Sequence, residues 1–261
     1  MLKSVYSMFP DTSRLAGHVY NGKTFPASEH YNDNSIFVFV PGYFTTTKPY
    51  DIVVWVHGWY NCIDSSLQRF QLVDQFYEAG RNAVFIFPEG PKNAPDSYGG
   101  KWEDPANTFS AIGDVAFMLE EERILPTMKD NKYTTPMKHI TLSGHSGAYK
   151  VIAKNQLYAK EILLFDGLYG EMDNYLSFCK DSINAKRFVH IYTDDGGTKQ
   201  NSISLMKQLD SLHIPYIHRE EDEVSLRELV GNRIVFLHSK LGHSDIITNR
   251  KNYEKLLATK E

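Results

Sequence analysis

The sharpest chemical signal in the chain is the run Gly144-His145-Ser146-Gly147-Ala148. Glycines two before and one after a serine suit a hydroxyl that a crowded backbone turn must push out as a nucleophile. The strand-like KHITLSGHS (138–146) leads into it, and the helix-like AYKVIAKNQLYA (148–159) follows at once. A strand-to-helix turn of this kind aims the first N–H groups of the helix at the reaction centre. Ala148 stands where the usual pattern has a second glycine; alanine is the smallest replacement and keeps the turn feasible. The plainer role for Ser146, capping the helix start, does not explain the glycines around it.

A serine nucleophile needs a base, an acid to orient that base, and donors for the developing oxyanion. His243, in the short loop KLGHSD after the last strand-like run, is the expected base because a late histidine fits the chain order Ser, Asp, His. His238 and His190 fall inside strand-like runs, and His145 is expected to point away from the serine. The acid has three candidates. Asp195, beyond the end of RFVHIYTDD (187–195), is preferred because a loop can swing it toward His243, with Asp194 beside it. Asp166, at the tip of EILLFD, is the rival. For the oxyanion, the N–H after the nucleophile (Gly147) and the N–H of Trp59, in the His57-Gly58-Trp59 loop, are the expected donors.

The elements that must position these groups alternate along the chain. Strand-like runs cover 34–41, 51–58, 82–90, 138–146, 161–167, 187–195 and 232–239, and 214–220 reads either as a strand or as a link. Helix-like runs fill 65–80, 109–125, 148–159, 202–213 and the tail from 245 to 260. The strand-like runs are apolar without alternation, as strands covered on both faces are. An α/β fold is expected, with a mostly parallel central sheet, helices on both faces and an antiparallel edge at its start. No insertion is long enough for a lid domain; loops 91–108 and 167–185 are the candidate covers. The whole of 1–261 reads as one domain with a lead-in over 1–33.

With the His-Gly loop, the serine turn and the late histidine in this order, residues 35–250 resemble the α/β-hydrolase fold family. VFVPGYFTTTKPYDIVVWVHGWY (38–60), FPEG (87–90) and Trp102 resemble more narrowly its esterase and polyhydroxyalkanoate-depolymerase-like branch. The resemblance implies a serine hydrolase that cleaves a carboxylic ester of a small molecule through an acyl-enzyme intermediate. A peptidase or amidase would use the same residues, and a binding protein that retained the fold is the alternative outside catalysis.

Composition narrows the rest. Net charge is −4, with no dense basic stretch, so nucleic acid is not an expected partner. There is no apolar run of membrane-spanning length. The N-terminus has no sustained apolar core after Lys3, so it does not read as a signal peptide, and the cytoplasm is favoured over secretion. No phosphate-binding glycine loop and no HExxH or His/Cys cluster occurs, so neither a nucleotide cofactor nor a metal is expected. Cys62 and Cys179 are expected to be thiols, at least one of them buried. Trp59, Tyr60, Tyr98 and Trp102 are candidate pocket walls, and Glu89, Asp96, Glu103 and Asp104 suggest a mouth suited to a cationic or neutral substrate. Oligomeric state is not legible.

Overall fold

The computed structural model describes residues 1–126 and 137–259. Lys260, the expected end of the helical tail, lies outside them. The strands are β1 (Leu2–Lys3), β2 (His18–Tyr20), β3 (Lys23–Phe25), β4 (Ser35–Phe39), β5 (Tyr50–Val56), β6 (Ala83–Pro88), β7 (Met137–His145), β8 (Glu161–Phe165), β9 (Arg187–Thr193), β10 (Ile217–Glu220) and β11 (Ile234–Ser239). Nine of them form one sheet in the order β1-β4-β6-β5-β7-β8-β9-β11-β10, and β2 and β3 form a separate hairpin. From β6 to β10 every pairing is parallel. The expected antiparallel edge is present, but β4 pairs with β6 and not with β5, which follows it in the chain.

The apolar strands are explained by what lies on each side. Ile52, Val54, Ile86, Ile162, Leu164 and Phe236 face one core, and Val53, Trp55, Phe85, Leu163, Phe165 and Leu237 face the other. Successive side chains of a strand point to opposite faces, so two covered faces require an unbroken apolar run. Helices Pro105–Glu121, Tyr149–Lys154, Met172–Lys180 and Lys199–Ser211 cover the first face. Helices Ile63–Phe70, Leu72–Glu78 and Asn252–Ala258 cover the second. The expected helix over 65–80 is two helices, broken at Gln71, which takes φ +49°. The cover loop 167–185 contains the helix Met172–Lys180. Both cysteines are buried free thiols.

At the start of the parallel strands lies a buried ionic knot. Arg81 bonds Asp51 of β5 (2.6 Å), Glu161 of β8 (2.9 Å) and Thr141 of β7 (2.9 Å). Arg187 of β9 closes it onto Glu161 and Thr259. The charges are desolvated, so removing one partner would strand the others at a cost of roughly 3–5 kcal/mol. The knot clamps one end of the sheet. The other end, where the parallel strands finish, is where ligands bind in open α/β sheets, and every candidate catalytic residue falls there.

Candidate active site

Ser146 follows the last residue of β7 and takes φ +55°. A non-glycine residue in that left-handed region stores about 1–2 kcal/mol of strain, which surrounding packing must hold. Three glycines make the packing possible. A side chain at Gly144 would lie 2.6 Å from the Val56 carbonyl, one at Gly58 2.7 Å from Ser146 Cβ, and one at Gly147 2.6 Å from the Trp59 ring. The His57-Gly58-Trp59 loop therefore rests directly on the serine turn. Ala148 is buried at φ −62°, ψ −19°, ordinary helical geometry, so the departure from glycine at that position carries no strain.

Behind this loop His57 is buried and donates from Nδ1 to the Gly58 carbonyl (2.7 Å), while the Gly90 N–H donates to its Nε2 (3.1 Å). Glu89, also 3.1 Å from Nε2, accepts from the Ile63 N–H at the next helix start. The loop is braced from inside, and His57 is spent on that brace. Among the described residues, no hydrogen bond occupies the backbone N–H of Trp59 or of Gly147, the two expected oxyanion donors.

The His243 ring meets Asp166. Its Nδ1–H donates to Asp166 Oδ2 at 2.6 Å, and the Asp166 carboxylate is fully buried. The same carboxylate accepts from the Thr193 N–H (3.2 Å), the Thr193 hydroxyl (2.6 Å) and the Thr198 hydroxyl. Burial alone would raise this carboxyl, but the bonds from His243, Thr193 and Thr198 outweigh it and hold it down at about 2. Asp166 itself sits at φ +43° just past β8, its N–H bonded to Ile191 of β9. The neighbouring chain is pressed close: a side chain at Gly196 would lie 1.6 Å from Asp166 Oδ2.

Asp195 is solvent-exposed. Asp194 bonds Lys199 (2.5 Å) and His238 (3.1 Å). Neither is brought to His243, so the structure joins Asp166 to the histidine and leaves Asp195, the preferred acid, apart. The physical reason is that β9 ends at Thr193, and its chain then turns to lay Thr193, Gly196 and Thr198 on the Asp166 carboxylate. The segment expected to carry the acid supplies the donors to Asp166.

Trp59, Ser97, Ser146, Gly147, Tyr149 and Tyr169 line a cavity of about 230 Å³. The Trp59 indole N–H donates to Ser97 (2.8 Å), and Tyr20 of the β2–β3 hairpin packs edge-on against the ring at 5.2 Å. The Ser146 hydroxyl interacts with the Tyr169 phenol, which burial pushes up to about 12 and which donates to the Gly196 carbonyl. No hydrogen bond joins Ser146 to His243 among the described residues; the Tyr169 ring lies 6.4 Å from the His243 ring. Tyr149 and Tyr169 escaped the sequence reading. Tyr149, three residues past the serine on the following helix, was the more accessible signal.

Of the other expected wall residues, Trp102 is buried, with its indole N–H on the Tyr6 carbonyl, and Tyr60 packs against Phe25. Arg14 covers the Tyr98 ring at 4.4 Å. The acidic mouth also dissolves into local pairs. Glu89 accepts from the Ile63 N–H, Asp96 binds Arg14 (2.7 Å), Glu103 binds Lys150 (3.2 Å), and Asp104 caps a helix at the Ala106 N–H. These carboxylates give no support to a cationic substrate.

No family model and no curated protein matches the sequence. Solved structures do match in shape. A ferulic acid esterase superposes with TM-score 0.54 at 13% identity, over 87% of this chain and 93% of its own. The fluorophosphonate-binding serine hydrolase F of Staphylococcus aureus gives TM-score 0.52 at 13% identity, over 89% and 95%. A thermostable esterase gives 0.52 at 15% identity; the chain spans 86% of itself there but 58% of that protein. At these identities the likeness speaks for the fold, and the sheet order agrees with it: the chain has the α/β-hydrolase fold. Among the described residues no helix is long and apolar enough to cross a membrane.

Proposed function

We propose that this protein is a serine hydrolase acting on carboxylic esters of small molecules through an acyl-enzyme intermediate. The reading rests above all on the His243–Asp166 pair at 2.6 Å, set at the same sheet edge as a serine held at φ +55°. Ser146 is the nucleophile and attacks the ester carbonyl. His243, with Nδ1–H held by Asp166, takes the serine proton at Nε2 and returns it to the leaving alcohol. Water, deprotonated by the same ring, then releases the acid. The Trp59 and Gly147 N–H groups receive the oxyanion, where each aimed donor contributes about 3–4 kcal/mol. Asp166, not Asp195, fills the acid's role in this scheme.

The cavity walled by Trp59, Tyr149 and Tyr169 receives the acyl group, and its aromatic faces suit a flat or short apolar one. The shape likeness to an esterase and to a serine hydrolase supports the class. Membership of the polyhydroxyalkanoate-depolymerase-like branch is a narrower proposal, resting on VFVPGYFTTTKPY and FPEG. The test pairs a fluorophosphonate probe with a panel of esters and amides of varied chain length, run on the parent and on Ser146→Ala. Labelling and ester turnover in the parent, with a loss on the order of 10³-fold or more in kcat for Ser146→Ala, are expected. An unlabelled parent, or a variant retaining above a tenth of parent turnover, would overturn the assignment. Faster turnover of amides than of matched esters would move the substrate class to amides.

A further inference from the structure

His145 adjoins the nucleophile in sequence and the base in space. It is the last residue of β7, directly before Ser146. Its side chain is buried, and its Nε2 lies 2.8 Å from the backbone carbonyl of His243. Its ring faces the His243 ring with centroids 4.4 Å apart and planes at 42°, and the Phe70 ring lies edge-on to it at 5.4 Å. A carbonyl can only accept, so the proton of a neutral His145 must sit on Nε2. Nδ1 then carries a bare lone pair, and among the described residues it has no partner, which is consistent with that tautomer because an unprotonated nitrogen has no proton to place. The charged form is disfavoured: burial, and then the charge of His243, push the imidazole down to about 3. The other charges that act on it are Asp166 and Arg69.

We propose that His145 is a positioning residue for the general base, its Nε2–H tethering the His243 carbonyl while its ring backs the His243 ring. The proposal rests on the hydrolase reading above. His243 stands on a short loop after β11, and Asp166 fixes only the Nδ1 side of its ring. Rotation about that bond, or a shift of the loop, would move Nε2 relative to Ser146. The His145 tether removes that freedom, and it comes from the residue whose own backbone leads into the serine. The elbow that sets the nucleophile thereby also sets the base. Because His145 stays neutral, it adds no like charge when His243 becomes an imidazolium in turnover.

The experiment compares His145→Phe, which keeps a stacked ring and loses the N–H, with His145→Gln, whose amide N–H can reach the same carbonyl. Fluorophosphonate labelling rate, kcat and KM on one ester and thermal melting are measured for both and for the parent. His145→Phe should lose about 10²-fold in kcat and in labelling rate, as a misplacement on the order of 1 Å does, with KM within about twofold because no substrate contact is removed. His145→Gln should recover about tenfold of that loss. If the phenylalanine variant does not fold, His145→Leu replaces it under the same criteria. A folded variant without the N–H whose kcat is within about twofold of the parent would overturn the proposal, as would equal losses in the Phe and Gln variants. A parent that neither labels nor turns over ester removes the hydrolase reading and this role together. A labelled parent with unaffected His145 variants removes this role alone.

Discussion

Replacing Asp166 by asparagine is expected to remove activity by forcing the wrong tautomer on His243, and the structure dictates how. The backbone N–H of Thr193 points at Asp166 Oδ1 at 3.2 Å and cannot rotate away. The hydroxyl of Thr198 donates to the same oxygen. An asparagine at this position must therefore keep its carbonyl oxygen there and put its NH2 where Oδ2 was. That site faces His243 Nδ1 at 2.6 Å and the Thr193 hydroxyl at 2.6 Å. The Thr193 hydroxyl can turn to accept. The histidine can accept only by giving up the proton on Nδ1 and carrying it on Nε2, which leaves no lone pair toward Ser146. The same substitution in a well-studied triad costs about 10⁴ in kcat, and a similar loss is expected here. Asp195→Asn, at an exposed position without a tie to His243, should stay within about twofold, and Asp194→Asn within about tenfold. The assay is kcat and KM on one ester at matched pH, with melting curves for each variant. Folded Asp166→Asn keeping more than a tenth of parent kcat would refute the argument, and a collapse in Asp195→Asn would return the acid to the end of β9.

Three further outcomes are expected. Gly196→Ala drives a methyl group into a carboxylate 1.6 Å away, so it should cost about 1–3 kcal/mol by melting and about 10²-fold in kcat; unchanged kcat would show that the Asp166 pocket is more yielding than its packing implies. Ala148→Gly should retain activity and lose up to about 1 kcal/mol of stability, since Ala148 already has helical geometry; a stability gain in urea unfolding would contradict the observed dihedrals. Burial pushes His145 to about 3 and His190 to about 4, so below about pH 6.5 the unfolded chain binds protons that the folded one refuses. Stability from these two groups is complete above that pH and falls, by up to about 1.4 kcal/mol per pH unit for each, down to about pH 4 for His190 and pH 3 for His145. Asp166, held at about 2, adds a loss from about pH 4 downward. Urea midpoints at pH 7, 5.5 and 4.5 measure the slope, and a flat profile across that range would refute it.

The sheet was legible because burial on both faces leaves a one-dimensional mark. EILLF and AVFIFP cannot be written in any other way if both sides of the strand are covered, and their order along the chain follows. The short elements left weaker marks. The β2–β3 hairpin, HVYNGKTF, is polar on both sides and owes its place to Tyr20 and Phe25 resting on Trp59 and Tyr60. The helix Met172–Lys180 hides behind Tyr175, Phe178 and Cys179, buried residues spread through a run that reads as loop. Gln71 breaks a helix at φ +49° with no glycine or proline to announce it.

The choice between Asp166 and Asp195 shows where reading by position runs out. Both sit at the C-terminal end of a strand, and position along the chain favoured the one further into its loop. What separates them is a set of donors, and donors are set by which backbone folds over which carboxylate. Thr193, Gly196 and Thr198 all belong to the segment that carries Asp195, yet each turns toward Asp166. Gly196 was the residue whose type held a clue, because a glycine beside a strand end often marks a close backbone approach. In TDDGGT there are two glycines, and nothing in the sequence says what approaches them. The same holds for His145. Its neighbours in sequence are Ser146 and Gly144, and alternation along β7 would point it away from the cavity beside Ser146. The second face of the sheet is where the last helix and the His243 loop return, so pointing away from the serine pocket carries it to the His243 ring.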